Sequence, residues 1–164
     1  MNSGTVTNGT FKCRGTLASF KGTLMDCTVD AVCGYIQLSG STFNDVADFT
    51  DLGTASGTGA GGCTFNSNVT ITHTGSNNYF TLANTTGDIF NANVTFSNSN
   101  THELNVSSNG NTTFNGNIIV NCTGGGILFG NSGGTSTLAT GKTITVGSTG
   151  FTTDYLTLKN FTQT

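Results

Sequence analysis

Apolar residues along this chain alternate with small polar ones in short bursts, and the bursts recur. Residues 63–72 read CTFNSNVTIT, residues 88–97 read DIFNANVTFS, and residues 113–121 read TFNGNIIVN. The phenylalanines of this unit stand at Phe43, Phe65, Phe90 and Phe114, with Leu138 taking the next turn, at intervals of 22, 25, 24 and 24 residues. A period of this length marks a solenoid or an array, in which one repeat buries its apolar face against the next. Inside each repeat, alternation with period two predicts half-buried strands. The predicted inward residues are Val69, Ile71, Phe80 and Leu82 in one coil and Val94, Phe96, Leu104 and Val106 in the next. Then come Ile118, Val120 and Leu128, followed by Ile144, Val146, Leu156 and Leu158.

Short strands broken by Gly and Asn, inside a repeat of 22–25 residues, predict an all-β fold. The specific expectation is a right-handed parallel β-helix, or β-solenoid, of about six coils with three short strands in each, stacked about 4.8 Å apart. Asn66, Asn91 and Asn115 follow the repeated Phe, and Asn68, Asn93 and Asn117 stand two residues further on. Stacking turns each series into a column. There the amides can form hydrogen-bonded ladders, and Asn can take the left-handed backbone of a tight bend. These columns read as structural devices.

The chain divides by regularity into residues 1–62, irregular first coils or a cap, and residues 63–164, the regular repeats of one continuous domain. The first part carries eight of the thirteen charges. Its run GTASGTGAGG, residues 53–62, reads as a turn or loop.

Composition narrows the partners. Only 8% of residues are charged, Pro and Trp are absent, and 33 Thr and 20 Asn accompany 24 Gly. Twelve Phe, four of them at the repeat spacing, argue against disorder. Five scattered Lys and Arg, with a net charge of -3, form no basic patch for nucleic acid. No apolar run reaches the ~20 residues of a membrane helix. Residues 1–10 lack the regions of a signal peptide, so the chain reads as a segment of a longer protein or a short relative of one. Five cysteines without a CxxC argue against a zinc or redox site; they read as small buried apolar groups with one or two disulfides among them, the pairing left open.

Residues 113–151, TFNGNIIVNCTGGGILFGNSGGTSTLATGKTITVGSTGF, and residues 156–164, LTLKNFTQT, resemble β-strand-repeat segments of large type IX-secreted surface and adhesin proteins of Bacteroidota. The resemblance covers roughly residues 63–164. It implies an extracellular β-helical stalk or adhesin segment at the cell surface.

Candidate chemistry is sparse. Gly130-Asn131-Ser132-Gly133-Gly134 matches a nucleophile-elbow pattern, but that motif needs a following helix and a triad histidine. His73 and His102 fall in expected turns of other coils. Residues 57–62 fit a dinucleotide-binding glycine pattern without the helix it needs. Asp45, Asp48 and Asp51 are the one acidic cluster, which a polysaccharide lyase, a hydrolase or a weak Ca²⁺ site would need to converge. Outward Thr70, Thr72, Thr95, Thr143 and Thr145 form a candidate binding face of the kind that binds ice, interrupted by Ile119 and Asn121. The expectation is therefore a non-catalytic structural or adhesive module without cofactor or metal, with outward Thr, Asn, Tyr79 and Phe129 carrying binding. Its partners would be further solenoid repeats end to end, or a glycan or cell-surface ligand. An ice-binding solenoid and a β-helical lyase or hydrolase are the alternatives.

Overall fold

The structure, a computed structural model, describes residues 2–55, 57–152 and 154–164. Its chain is all-β among these residues, with parallel strands stacked as a β-solenoid. Strand β1 covers Asn2–Ser39. The first side then carries β2 (Thr42–Phe43), β5 (Thr64–Phe65), β8 (Ile89–Phe90), β11 (Thr112–Phe114), β14 (Ser136–Leu138) and β17 (Phe161–Gln163). The second carries β3 (Ala47–Asp51), β6 (Val69–His73), β9 (Val94–Asn98), β12 (Ile118–Cys122) and β15 (Ile144–Phe151). The third carries β4 (Gly57–Thr58), β7 (Phe80–Thr81), β10 (Leu104–Val106), β13 (Ile127–Phe129) and β16 (Leu156–Leu158).

Both β2 and β3 pair with β1, so the first two sides form one twelve-stranded sheet, and the third side is a separate sheet of five. Beyond β1 the rungs complete about five turns, close to the six expected. Residues of β1 stack on one another at shorter offsets, Cys13 on Cys33 and Ser19 on Gln37, 20 and 18 residues apart. The third sheet begins at β4, inside the glycine-rich stretch expected to be a loop. Gly59 fits there because a Cβ would lie 2.7 Å from the Leu38 carbonyl oxygen.

The core is a column of aromatic rings. Phe43, Phe65, Phe90 and Phe114 stack nearly parallel, with centroids 5.1, 4.7 and 5.0 Å apart. Phe49 and Phe96 meet them edge-on, and Leu138 continues the column below Phe114. Parallel in-register strands set this spacing, because each coil repeats the same inward position one rung further on. One hydrophobic cluster runs from Ala18 to Leu138 across the expected boundary at residue 62.

One register expectation is corrected. Leu104 pairs with Ile127, so Ile127 and Phe129 point inward while Leu128 faces out. The bend at residues 124–126 is three glycines, and Gly124 and Gly125 run tight against the backbone of residues 99–102. That shortens the coil by one residue and reverses every side chain of β13, as a one-residue shift must. Phe129, expected to face outward, is buried and meets Phe96 and Phe114 edge-on.

At the last coil the inward pattern persists without cover. Ile144 and Leu156 are half-buried, while Val146 is 60% and Leu158 46% exposed.

Candidate functional site

The asparagine columns differ from each other in chemistry. Asn66 Nδ2 donates to Asn44 Oδ1 at 2.6 Å, Asn91 Nδ2 to Asn66 Oδ1 at 2.7 Å, and Asn115 Nδ2 to Asn91 Oδ1 at 2.8 Å. This amide ladder extends upward through Asn44 to the Asp26 carboxylate. In the second column the side-chain oxygens accept backbone N–H groups: Asn68 from Asn93, Asn93 from Asn117, and Asn117 from Thr143. None of these six asparagines has a positive φ, so the expected left-handed role is corrected. The first column is bonded amide to amide, and the second is bonded to neighbouring coils through its side-chain oxygens.

On the threonine face only the place of Thr143 is corrected. Register aligns Asp48, Thr70, Thr95, Ile119 and Thr145 in one outward column and Thr50, Thr72, Ser97 and Asn121 in the next. Thr143 belongs to neither, because its N–H and hydroxyl turn to Asn117 Oδ1. Two matched ranks of threonine therefore do not form. The acidic cluster separates as well: Asp48 faces out, whereas Asp51 is buried, its Oδ2 accepting Ile36 N–H and its Oδ1 accepting Gly53 N–H, both at 2.9 Å. Among the described residues, no group of three His, Cys, Asp or Glu is arranged to hold a metal ion. Ser132 is followed by no helix, so the nucleophile elbow is not built.

Two columns of buried polar side chains escaped the sequence reading. His73 ends β6 inside the core rather than in a turn; its Nδ1 lies 3.3 Å from Asp51 Oδ1, and Nε2 lies 3.0 Å from the Asn78 carbonyl. On the first side, Ser41, Cys63, Asp88, Thr112 and Ser136 all face inward two residues before the repeated Phe or Leu138. The side chains of the first four cap the previous coil, and Ser136 Oγ donates to Ser107 Oγ. Ser41 accepts from Thr23 N–H, Cys63 from Ser41 N–H, Asp88 from Cys63 N–H at 2.8 Å, and Thr112 from Asp88 N–H. Burial pushes the Asp88 carboxyl up to about 7 and, together with Asp88, pushes the Cys63 thiol up to about 12. The spacing from Phe was the signal for this column.

A concavity lies over the third sheet. It encloses about 710 Å³ and runs along the solenoid axis. Thr81, Asn105, Leu128 and Thr157 share one register column on the outward face, with the first three lining the groove floor. Tyr79, Glu103, Gly126 and Tyr155 form the flanking column, one residue ahead of each strand. Tyr79 and Glu103 of this column line the groove, and Gly126 shapes the column just beyond it. A Cβ there would lie 2.5 Å from the Tyr155 ring, so the absent side chain lets the ring settle over the backbone. The Tyr155 hydroxyl then donates to Glu103 Oε1 at 3.0 Å, a hydrogen bond that raises the phenol above its ordinary pKa. Tyr79 packs edge-on to His102 at 4.9 Å. Both tyrosines remain about half exposed, at 53% and 47%. The opposite wall carries Asn84, Ser108, Asn131 and Ser132, and Asn131 Nδ2 donates to Asn105 Oδ1 at 2.9 Å. Asn105 is only 5% exposed and forms the groove floor beneath Asn131.

Comparison of the chain with protein-family models, curated proteins and solved structures gave no match.

Proposed function

We propose that the protein is a non-catalytic adhesive β-solenoid module whose groove over the third sheet binds an extended neutral glycan. The observation that carries this reading is the half-exposed Tyr79 lining the groove beside amides and hydroxyls, with a second half-exposed ring, Tyr155, held just beyond the lining by its hydrogen bond to Glu103, which does line it. Tyrosine offers an apolar ring face together with a polar tip. Sugar rings stack their C–H faces on such rings and present hydroxyls to amides. A shallow groove along the axis suits a polymer longer than one residue, and rigid walls reduce the ordering cost of binding. The resemblance of residues 63–164 to surface-protein repeats supports an extracellular position for this module.

Affinity electrophoresis of the full chain through soluble neutral and anionic polysaccharides tests the proposal. Retardation by at least one neutral polymer is expected, with Tyr79→Ala and Tyr155→Ala each weakening it by roughly tenfold, equivalent to ~1.4 kcal/mol. Failure to be retarded by any polymer, or retardation indifferent to both substitutions, removes the reading.

Exposed Val146 and Leu158 on the last coil, with the open strand edges of β15 and β16, support a second feature: continuation of the stack by another coil, from a neighbouring repeat or a second copy. Sedimentation velocity across a concentration series should then show growing rods, and Val146→Lys should suppress them. A monomer unchanged with concentration contradicts stacking between copies.

A further inference from the structure

The sulfurs of Cys13 and Cys33 lie 3.5 Å apart where one wrap of β1 passes over the next. Their neighbours hold the two wraps together at that point. Arg14 Nη2 donates to both carboxylate oxygens of Asp30, at 2.8 and 2.7 Å, and Nη1 donates to the carbonyl oxygens of Asp30 and Cys13. Beside the pair, a Cβ on Gly34 would lie 2.9 Å from the Thr16 carbonyl oxygen, so the backbones of the two wraps approach closely. The other three cysteines, Cys27, Cys63 and Cys122, are buried.

We infer that Cys13 and Cys33 are a disulfide-forming pair, which a low-molecular-weight disulfide such as oxidised glutathione converts into a covalent staple between the first two wraps. A disulfide bond is about 2 Å long, so the sulfurs must close by about 1.5 Å. Side-chain rotation and a small shift of the outer wrap can supply that movement. The roles of the two thiols differ. Cys33 is fully buried, and burial with the neighbouring Cys13 pushes its thiol up to about 11, whereas Cys13 is partly exposed. Cys13 is therefore the group that meets the oxidant. Its thiolate attacks one sulfur of oxidised glutathione, forming a mixed disulfide and releasing one glutathione thiolate. Cys33 then gives up its proton and displaces the second glutathione from Cys13. Two protein thiols and one oxidised glutathione become one protein disulfide and two reduced glutathiones, so protons and electrons balance. The pair also accounts for the odd cysteine count: one staple and three enclosed thiols.

Incubation of the native full chain with oxidised glutathione, followed by alkylation under denaturing conditions and intact-mass measurement, reads the outcome. Wild type should lose two of its five thiols and carry no glutathione. Cys33→Ala should stop at one glutathione on Cys13, and Cys13→Ser should keep four thiols unmodified. Circular dichroism confirms that each variant is folded, and Cys13→Ser alters only a partly exposed site on the outer wrap. Five free thiols in oxidised wild type, a persistent glutathione adduct on it, or a disulfide still forming in folded Cys13→Ser would each overturn the pairing.

Discussion

Replacing Phe90 by aspartate is expected to abolish the folded solenoid. Phe90 is buried between the parallel rings of Phe65 and Phe114, at 4.7 and 5.0 Å, and receives Phe96 edge-on at 5.8 Å. Truncation to alanine alone should cost about 3–5 kcal/mol, because the coils above and below cannot close the gap without breaking strand register. Aspartate adds an unpaired carboxyl in the same dry column, where no positive group waits for it. Together these losses rival the 5–15 kcal/mol by which domains are ordinarily stable. Circular dichroism and denaturant unfolding of Phe90→Ala and Phe90→Asp measure the effect. A soluble Asp variant with an unchanged spectrum and midpoint would contradict the stacked core.

Asparagine in place of Asp88 should stabilise the protein at pH 8 and leave it nearly unchanged at pH 4. Burial raises the folded carboxyl from 3.8 to about 7. A group raised in this way contributes its stability fully below the unfolded value and loses it as pH climbs through the folded one. Wild type should therefore weaken between pH 4 and pH 8 through this group. The rise of about 3 pH units at ~1.4 kcal/mol each sets an upper bound of about 4 kcal/mol. Asparagine can keep the oxygen that accepts Cys63 N–H without carrying a charge. Cys63, at about 12, stays protonated throughout this window. Asp30 acts in the opposite sense, since its hydrogen bond to Arg14 lowers its pKa. The comparison must therefore be variant against wild type at each pH. Equal stabilities at pH 8 would show that Asp88 is not a charge buried at a cost.

The recurring Phe and its flanking alternation were enough to read the coil, because inward and outward positions are decided locally and then repeated. Phe65, Phe90 and Phe114 fall where that period assigns them, and Asn66, Asn91 and Asn115 bond as a ladder for the same reason. The slip at β13 was not legible in this way. Leu128 kept an interval of 24 residues, yet the glycine bend at 124–126 is shorter than its counterparts, and packing Phe129 inside decides the register. Asp88 and His73 misled for a related reason. A charged or titratable residue reads as solvated until the position two residues from a core Phe, or at the end of an inward series, is recognised as interior.

The sequence by itself determined a parallel β-solenoid, its approximate coil length and its aromatic core, since each follows from a short pattern that neighbouring coils share. Only the tertiary structure decided where the groove lies. Tyr155 reaches Glu103 across 52 residues of sequence, and it does so because Gly126, on the rung between them, has no side chain to hold the ring away. Which wrap meets Cys13 was likewise a matter of three-dimensional offset: β1 stacks at 18–20 residues rather than at the later period of 22–25. Periodicity fixes what repeats, whereas the groove and the cysteine pair arise where the repeat is broken.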